Sequence, residues 1–147
     1  MKKLILFLAV MSAAVISAAA LTGCGLPKEK PSAAKFTEAA KKAEYTVTEI
    51  SETEVTASKN GYTVYFTVFE TADNAKNAYA DKHDKTMEGI KGESLSTNTT
   101  ALNYRFHKFT SGDKFYVFYQ AWDTLLTVEA GKDYKKEINA FLKDIGY

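Results

Sequence analysis

Two histidines, one cysteine and a serine–lysine spacing near the start are the residues whose types could carry chemistry in this chain. His83 has Asp81 and Asp84 beside it, and histidine with carboxylates is the raw material of a metal centre or an acid–base pair. Successive helical positions diverge around the axis, so these three side chains do not converge. The plainer expectation is a histidine edging an apolar helical stripe. His107 falls on a different element, and structural zinc needs clustered Cys and His, which this chain lacks. Ser32-Ala-Ala-Lys35 fits the S-x-x-K spacing of a serine nucleophile. The Ser-Asp-Asn and Lys-Thr-Gly runs that accompany it are missing, and Ser32 stands where a helix needs a cap. No G-x-S-x-G, P-loop or G-x-G-x-x-G occurs. Glu49, Glu52, Glu54, Glu70 and Glu129 are candidates for paired carboxylates, but glycoside hydrolysis needs them in an aromatic-lined cleft, and charges at this frequency usually mark a solvated face. No catalytic residue and no metal ligand is assigned, and the balance leans against an enzyme.

Cys24, the one cysteine, follows an unbroken apolar run. Lys2 and Lys3 form a basic start and Leu4 to Ala20 an apolar segment, the pattern of a secretory signal over residues 1–23. Ser17 to Ala20 would serve for plain cleavage, and Leu4 to Gly23 has the length of an uncleaved membrane helix, about 20 residues. Leu21-Thr22-Gly23-Cys24, however, resembles the lipobox of bacterial lipoprotein precursors. That resemblance implies a diacylglyceryl group on the Cys24 thiol, with palmitate-class chains, and removal of the signal just before it. Two acyl chains anchor stably, at about 0.8 kcal/mol per buried methylene. The implied place is extracytoplasmic, on the outer leaflet of the cell membrane, with no cofactor beyond the covalent lipid. Gly25, rather than aspartate, leaves out the inner-membrane retention signal of Gram-negative lipoproteins. Lysine outnumbers arginine eighteen to one, which points to a low-GC genome and a Gram-positive surface. The passages TVYFTVFETADNAKNAYA and INAFLKDIGY are similar to those of small uncharacterised Gram-positive surface lipoproteins.

Without residues 1–23 the chain carries 17 basic and 18 acidic residues, a balance of −1. That excludes the basic footprint of nucleic-acid binding. Nine Phe, nine Tyr and one Trp argue against disorder. The expected organisation is a signal peptide at 1–23, a lipidated tether at 24–31 and a single domain at 32–147. Pro27 and Pro31 keep the tether extended.

The spacing of Phe36, Ala39, Ala40 and Ala43 predicts a helix from Ser32 to about Glu44. Tyr45 to Ile50 turns β-like. Asn60-Gly61 predicts a type I′ hairpin with Ala57 opposite Val64 and Val55 opposite Phe66. Thr71 caps a second helix to about Glu88, and the polar run after Gly92 is expected to be a loop entering a strand. Leu102, Tyr104 and Phe106 alternate into a strand, followed by turns at Ser111-Gly112 and Trp122-Asp123. With tight turns Tyr104 faces Tyr119, Phe106 faces Val117, Tyr119 faces Leu126 and Val117 faces Val128. A last helix runs from about Asp133 to Ile145. The sum is α+β: an antiparallel sheet of about five strands in the order α-ββ-α-βββ-α, with helices mainly on one face.

The opposite face then collects Arg105, His107, Tyr116, Phe118 and Trp122, with Arg105 across from Phe118 and His107 across from Tyr116. Exposed, these residues form a binding face for an envelope glycan or protein partner. Covered by a helix, they form a second small core, and both readings stand at this point. The functional expectation is a membrane-anchored, non-catalytic binding domain. A small tethered cell-envelope hydrolase and a homo-oligomeric structural module are the alternatives.

Overall fold

A computed structural model describes residues 29–92, 94–101 and 103–147. Residues 1–28, on which the expected signal segment, Cys24 and most of the expected tether fall, lie outside the described residues. The elements are α1 (Ala33–Lys42), β1 (Thr46–Glu49), β2 (Glu54–Lys59), β3 (Tyr62–Val68), α2 (Ala72–Glu88), β4 (Ser94–Ala101), β5 (Tyr104–Ser111), β6 (Lys114–Ala121), β7 (Thr124–Gly131), a 3-10 turn (Lys132–Tyr134) and α3 (Lys135–Asp144). The fold is α+β.

Local chemistry sets the helix starts. Ser32 Oγ accepts the Lys35 N–H at 3.2 Å and Thr71 Oγ1 accepts that of Asn74 at 3.1 Å, which satisfies donors a helix cannot pair itself. Ser32 of the S-x-x-K run is thus a cap. Asn60 and Gly61 both take positive φ, 51° and 83°, as the type I′ turn requires. Ala57 pairs with Val64 and Val55 with Phe66 as expected.

The sheet has seven strands in the order β1-β2-β3-β7-β6-β5-β4, and every neighbouring pair is antiparallel. The expectation of about five strands is corrected at both edges. β1 closes one edge on β2, and β4, expected to be mostly loop, closes the other on β5. Ser96 to Ala101 are exposed. An edge strand held by its ladder need not bury side chains, so it leaves no apolar alternation to read.

The β6–β7 register matches expectation, Tyr119 with Leu126 and Val117 with Val128. The β5–β6 register does not. Tyr104 pairs with Ala121 and Phe106 with Tyr119, a slip of two residues. Ser111 pairs with Lys114, so the turn residues are Gly112 and Asp113, with Gly112 at φ 59°. Glycine at the first central position is what a type II′ turn asks for. A slip of two preserves side-chain parity, so the faces stand while the partners change.

Helices lie on both faces. On one, Phe36 of α1 stacks on Phe66 at 4.9 Å and meets the edge of Phe141 of α3 at 5.7 Å, while Tyr45 tilts over Phe141 at 4.6 Å. Val64, Val117, Tyr119, Leu126, Ile138 and Leu142 complete this core. On the other face α2 lies over β6 and β7, and its Tyr79 joins Phe109, Tyr116, Phe118 and Leu125 in a smaller cluster. Among the described residues no helix is long and apolar enough to cross a membrane.

A polar tie joins the β2–β3 hairpin to α3. The Tyr45 and Tyr62 hydroxyls lie 2.6 Å apart, Tyr62 donates to Glu137 at 2.5 Å, and Lys59 Nζ sits 3.6 Å from the same carboxylate. The Tyr62 hydrogen bond, then Lys59, hold the Glu137 carboxyl below its ordinary range against a smaller opposing effect of burial. Burial first, then the carboxylate, push the Tyr62 hydroxyl up. A folded-state pKa below the unfolded one adds stability that is present above the unfolded value and lost as pH falls through the folded one. Glu137→Gln is therefore expected to cost about 1 kcal/mol at neutral pH, the low end for a charged hydrogen bond because a third of the side chain stays in water. In urea titrations the difference from wild type should stay flat down to about pH 5 and shrink below the ordinary carboxylate value of 4.5.

Candidate functional site

The most pointed cluster of chemical groups is a hydrogen-bonded chain running from the edge strand to α2. Ser96 Oγ lies 2.7 Å from His107 Nε2, His107 Nδ1 lies 2.8 Å from His83 Nε2, and His83 Nδ1 lies 3.1 Å from Asp84 Oδ1. Three elements supply the parts. β4 carries Ser96, β5 carries His107, and α2 carries His83 and Asp84. The pairing of β4 with β5 and the docking of α2 on the sheet bring them together.

With the carboxylate ionised and both rings neutral, one proton arrangement satisfies all three bonds. Asp84 can only accept, so His83 Nδ1 carries the proton and Nε2 is a lone pair. His107 Nδ1–H then donates to His83, and Ser96 O–H donates to His107 Nε2. The chain has a direction, from hydroxyl to carboxylate. This is the polarity that a serine nucleophile, its base and an orienting group use.

Rings hold the two imidazoles in place. Tyr79 stacks on His83 at 5.5 Å and 9°, Phe118 meets His83 edge-on at 5.4 Å, and Phe109 lies 4.6 Å from His107. Burial pushes the Tyr79 hydroxyl up to about 12, with Arg105 opposing and Asp84 adding. His107 is 3% exposed, whereas the His83 side chain keeps 19% and Ser96 is exposed.

Of the five residues of the expected binding face, three follow the covered alternative. His107, Tyr116 and Phe118 are buried beneath α2. Arg105 is half-buried and pairs with Gln120, and His107 pairs with Phe118. The expected Arg105–Phe118 and His107–Tyr116 partnerships are therefore corrected by the two-residue slip. Trp122 sits in the β6–β7 turn at φ 52° and packs against the α1/α3 core instead. Cys24 lies outside the described residues.

The site that residue-by-residue reading missed is the histidine pair. His83 was expected at the edge of a stripe and His107 on a separate element. Both placements hold, yet the side chains meet, and His83 also reaches Asp84 of the next position, which corrects the expectation that successive helical positions keep these side chains apart. The signal available in the sequence was weak: two histidines in a chain with only two, one on a helix and one on a strand of the aromatic face.

Concave surface lies elsewhere. A groove of about 530 Å³ runs between α1 and the β1–β2 hairpin, walled by Thr37, Glu38 and Lys41 on the helix and by Glu49, Ser51 and Glu52 opposite. Beside it Ile50 is 59% exposed. None of Ser96, His107, His83 and Asp84 lines this groove. Among the described residues no group of three or more His, Cys, Asp and Glu side chains is placed to hold a metal ion.

No family model matches the chain, and no curated protein matches it. Among solved structures, it is similar to the crystal structure of a GTP-binding regulator from Thermotoga maritima, with 16% identity over 77% of this chain and 83% of that one and a TM-score of 0.46. A likeness of that size carries no argument about ligand or activity.

Proposed function

We propose that this chain is a lipid-anchored envelope protein whose domain binds a protein partner through the groove between α1 and the β1–β2 hairpin. The observation that carries the binding role is that groove, while α2 takes His107, Tyr116 and Phe118 of the aromatic face into a core. Its three glutamates against one lysine favour a partner presenting basic side chains. The lipobox at Leu21 to Cys24 supports the anchor. The start of the fold supports a short leash. Lys30 pairs with Asp123 at 2.7 Å, and Pro31 is buried. Extended chain from Cys24 to Lys30 reaches only about 20 Å, so the groove beside the first turn of α1 stays close to the bilayer.

Two measurements on the lipidated full-length protein test the two halves. Cys24→Ser is expected to move the protein from the membrane fraction to the soluble or secreted fraction, with the mass of the diacylglyceryl group gone. Unaltered partitioning and mass would remove the anchor from the proposal. A photo-crosslinking residue in place of Thr37 is expected to give a discrete protein adduct in intact envelopes that Glu38→Lys with Glu52→Lys suppresses. Adducts indifferent to that charge reversal, or confined to glycan, would remove the partner.

A further inference from the structure

We propose that the head-on contact of His83 with His107 is an acid-sensitive latch. At neutral pH it holds α2 on the sheet, and on taking up a second proton it lets α2 lift and uncovers the aromatic face of Tyr116, Phe118 and Leu125. The groove reading does not require the latch, which stands on separate residues.

A latch matters where little else fastens the element. Of the 17 described residues of α2 only Ala75 and Tyr79 are buried, whereas the shorter α3 buries Ile138, Phe141 and Leu142 in ten residues. An element with few buried apolar contacts opens at low cost and ahead of global unfolding. The bond between His83 Nε2 and His107 Nδ1, 2.8 Å long, adds a polar tie to that small apolar hold. His107 is 3% exposed, and a hydrogen bond is stronger where water is excluded.

One added proton fits the pair and two do not. With both rings neutral, His107 Nδ1–H donates to His83 Nε2. When His83 Nε2 takes a proton, His107 moves its own from Nδ1 to Nε2, and Ser96 Oγ changes from donor to acceptor. His83 Nε2–H then donates to His107 Nδ1, and the Asp84 carboxylate, 3.1 Å from His83 Nδ1, faces the new charge. The lone pair left for a second proton is that of His107 Nδ1. Filling it sets two N–H groups and two positive charges head-on at 2.8 Å, between rings that Tyr79, Phe109 and Phe118 hold in place. Lifting α2 parts the charges and gives both imidazoles to water.

The surrounding groups set the sign. Asp84 on α2 offsets one positive charge, with 75% of its side chain in water. On β4, Ser96 and Asn98, which pairs with His107, are neutral. On β5, half-buried Arg105 shares the face of His107 two positions away and adds positive charge. Tyr79 on α2 and Tyr116 on β6 are both held in their neutral form by burial, and Glu129 on β7, beside Tyr116, is paired with Lys114. In the opened state two ordinary imidazoles each take a proton near pH 6.5, about two protons against one in the closed state. Closure therefore loses stability as pH falls, and the opening equilibrium grows by a factor approaching about tenfold per pH unit below about pH 6.

Amide hydrogen exchange, read by mass spectrometry on the full-length protein in nonionic detergent and corrected for the pH dependence of free-amide exchange, tests the latch. From pH 6 to pH 5 the opening of α2 is expected to rise about fivefold to tenfold while that of α3 stays level. His83→Gln replaces the acceptor at Nε2 with an amide oxygen that takes no proton. A protonated His107 then finds an acceptor on each side, the amide oxygen and Ser96 Oγ, so in this variant α2 is expected to stay closed with no slope between pH 6 and pH 5. Opening of α2 that ignores pH in the wild type overturns the latch. So does an equal rise in α2 and α3, which is general acid loosening, and so does a folded His83→Gln protein that keeps the wild-type slope. Should His83→Gln not fold, the comparison of α2 with α3 in the wild type decides alone.

Discussion

Phe118→Ala is expected to destabilise the protein by about 3–5 kcal/mol, the range for removing a buried aromatic ring. Phe118 is 4% exposed and sits between Tyr79 and His83 of α2 and Phe109 of β5, with ring separations of 6.3, 5.4 and 6.3 Å. The cluster under α2 has only five buried members, so deleting the central one leaves a cavity that the neighbours cannot fill. α2 reaches the sheet chiefly through this cluster and the His83–His107 contact. A loss of that size is a third or more of the stability of many domains. Urea unfolding followed by far-ultraviolet circular dichroism measures it. A midpoint shift equivalent to less than about 1 kcal/mol would mean that α2 does not rest on Phe118 and that the aromatic face is open after all.

Phe36→Ala is expected to lose a similar amount, about 3–5 kcal/mol, for the opposite face of the sheet. Phe36 is 1% exposed, stacked on Phe66 and edge-on to Phe141. It is the ring through which α1 grips both β3 and α3. Trp122, the one tryptophan, packs against this core and not against the α2 cluster, so its fluorescence follows this layer. Since α1 forms one wall of the groove, Phe36→Ala should also loosen binding of the proposed partner, whereas Phe118→Ala should leave it intact. Phe36 and Phe118 share no ring partner, so the milder Phe36→Leu and Phe118→Leu changes should add within about 0.5 kcal/mol. A larger coupling would mean that the two layers are one cooperative core transmitted through the strands.

Charge, cap and turn chemistry were legible residue by residue. Ser32 and Thr71 start their helices because a hydroxyl at that position meets a donor three residues on. Asn60-Gly61 sets the β2–β3 register because only such a pair tolerates positive φ twice. The turn before β6 was misplaced by one residue, since Ser111-Gly112 and Gly112-Asp113 both offer a glycine. Parity hid the error, and the faces of Tyr104, Phe106, Val117 and Tyr119 came out right with wrong neighbours. β4 was missed because Ser96 to Ala101 show water their side chains and draw their strand form from a ladder with β5. For the site, each histidine was assigned to a sound local setting, and the 2.8 Å contact between residues 24 apart was invisible.

The amino-acid sequence by itself determined where helices and most strands begin, which side of each strand is apolar and the tight turn at Asn60-Gly61. These follow from interactions within a few residues, where sterics, capping and periodicity act alone. Only the tertiary structure decided that β3 pairs with β7, that α2 covers Tyr116 and Phe118, and that Ser96, His107, His83 and Asp84 fall into one line. Those outcomes depend on which of several similar apolar surfaces meet, a choice made by long-range burial that no local pattern encodes.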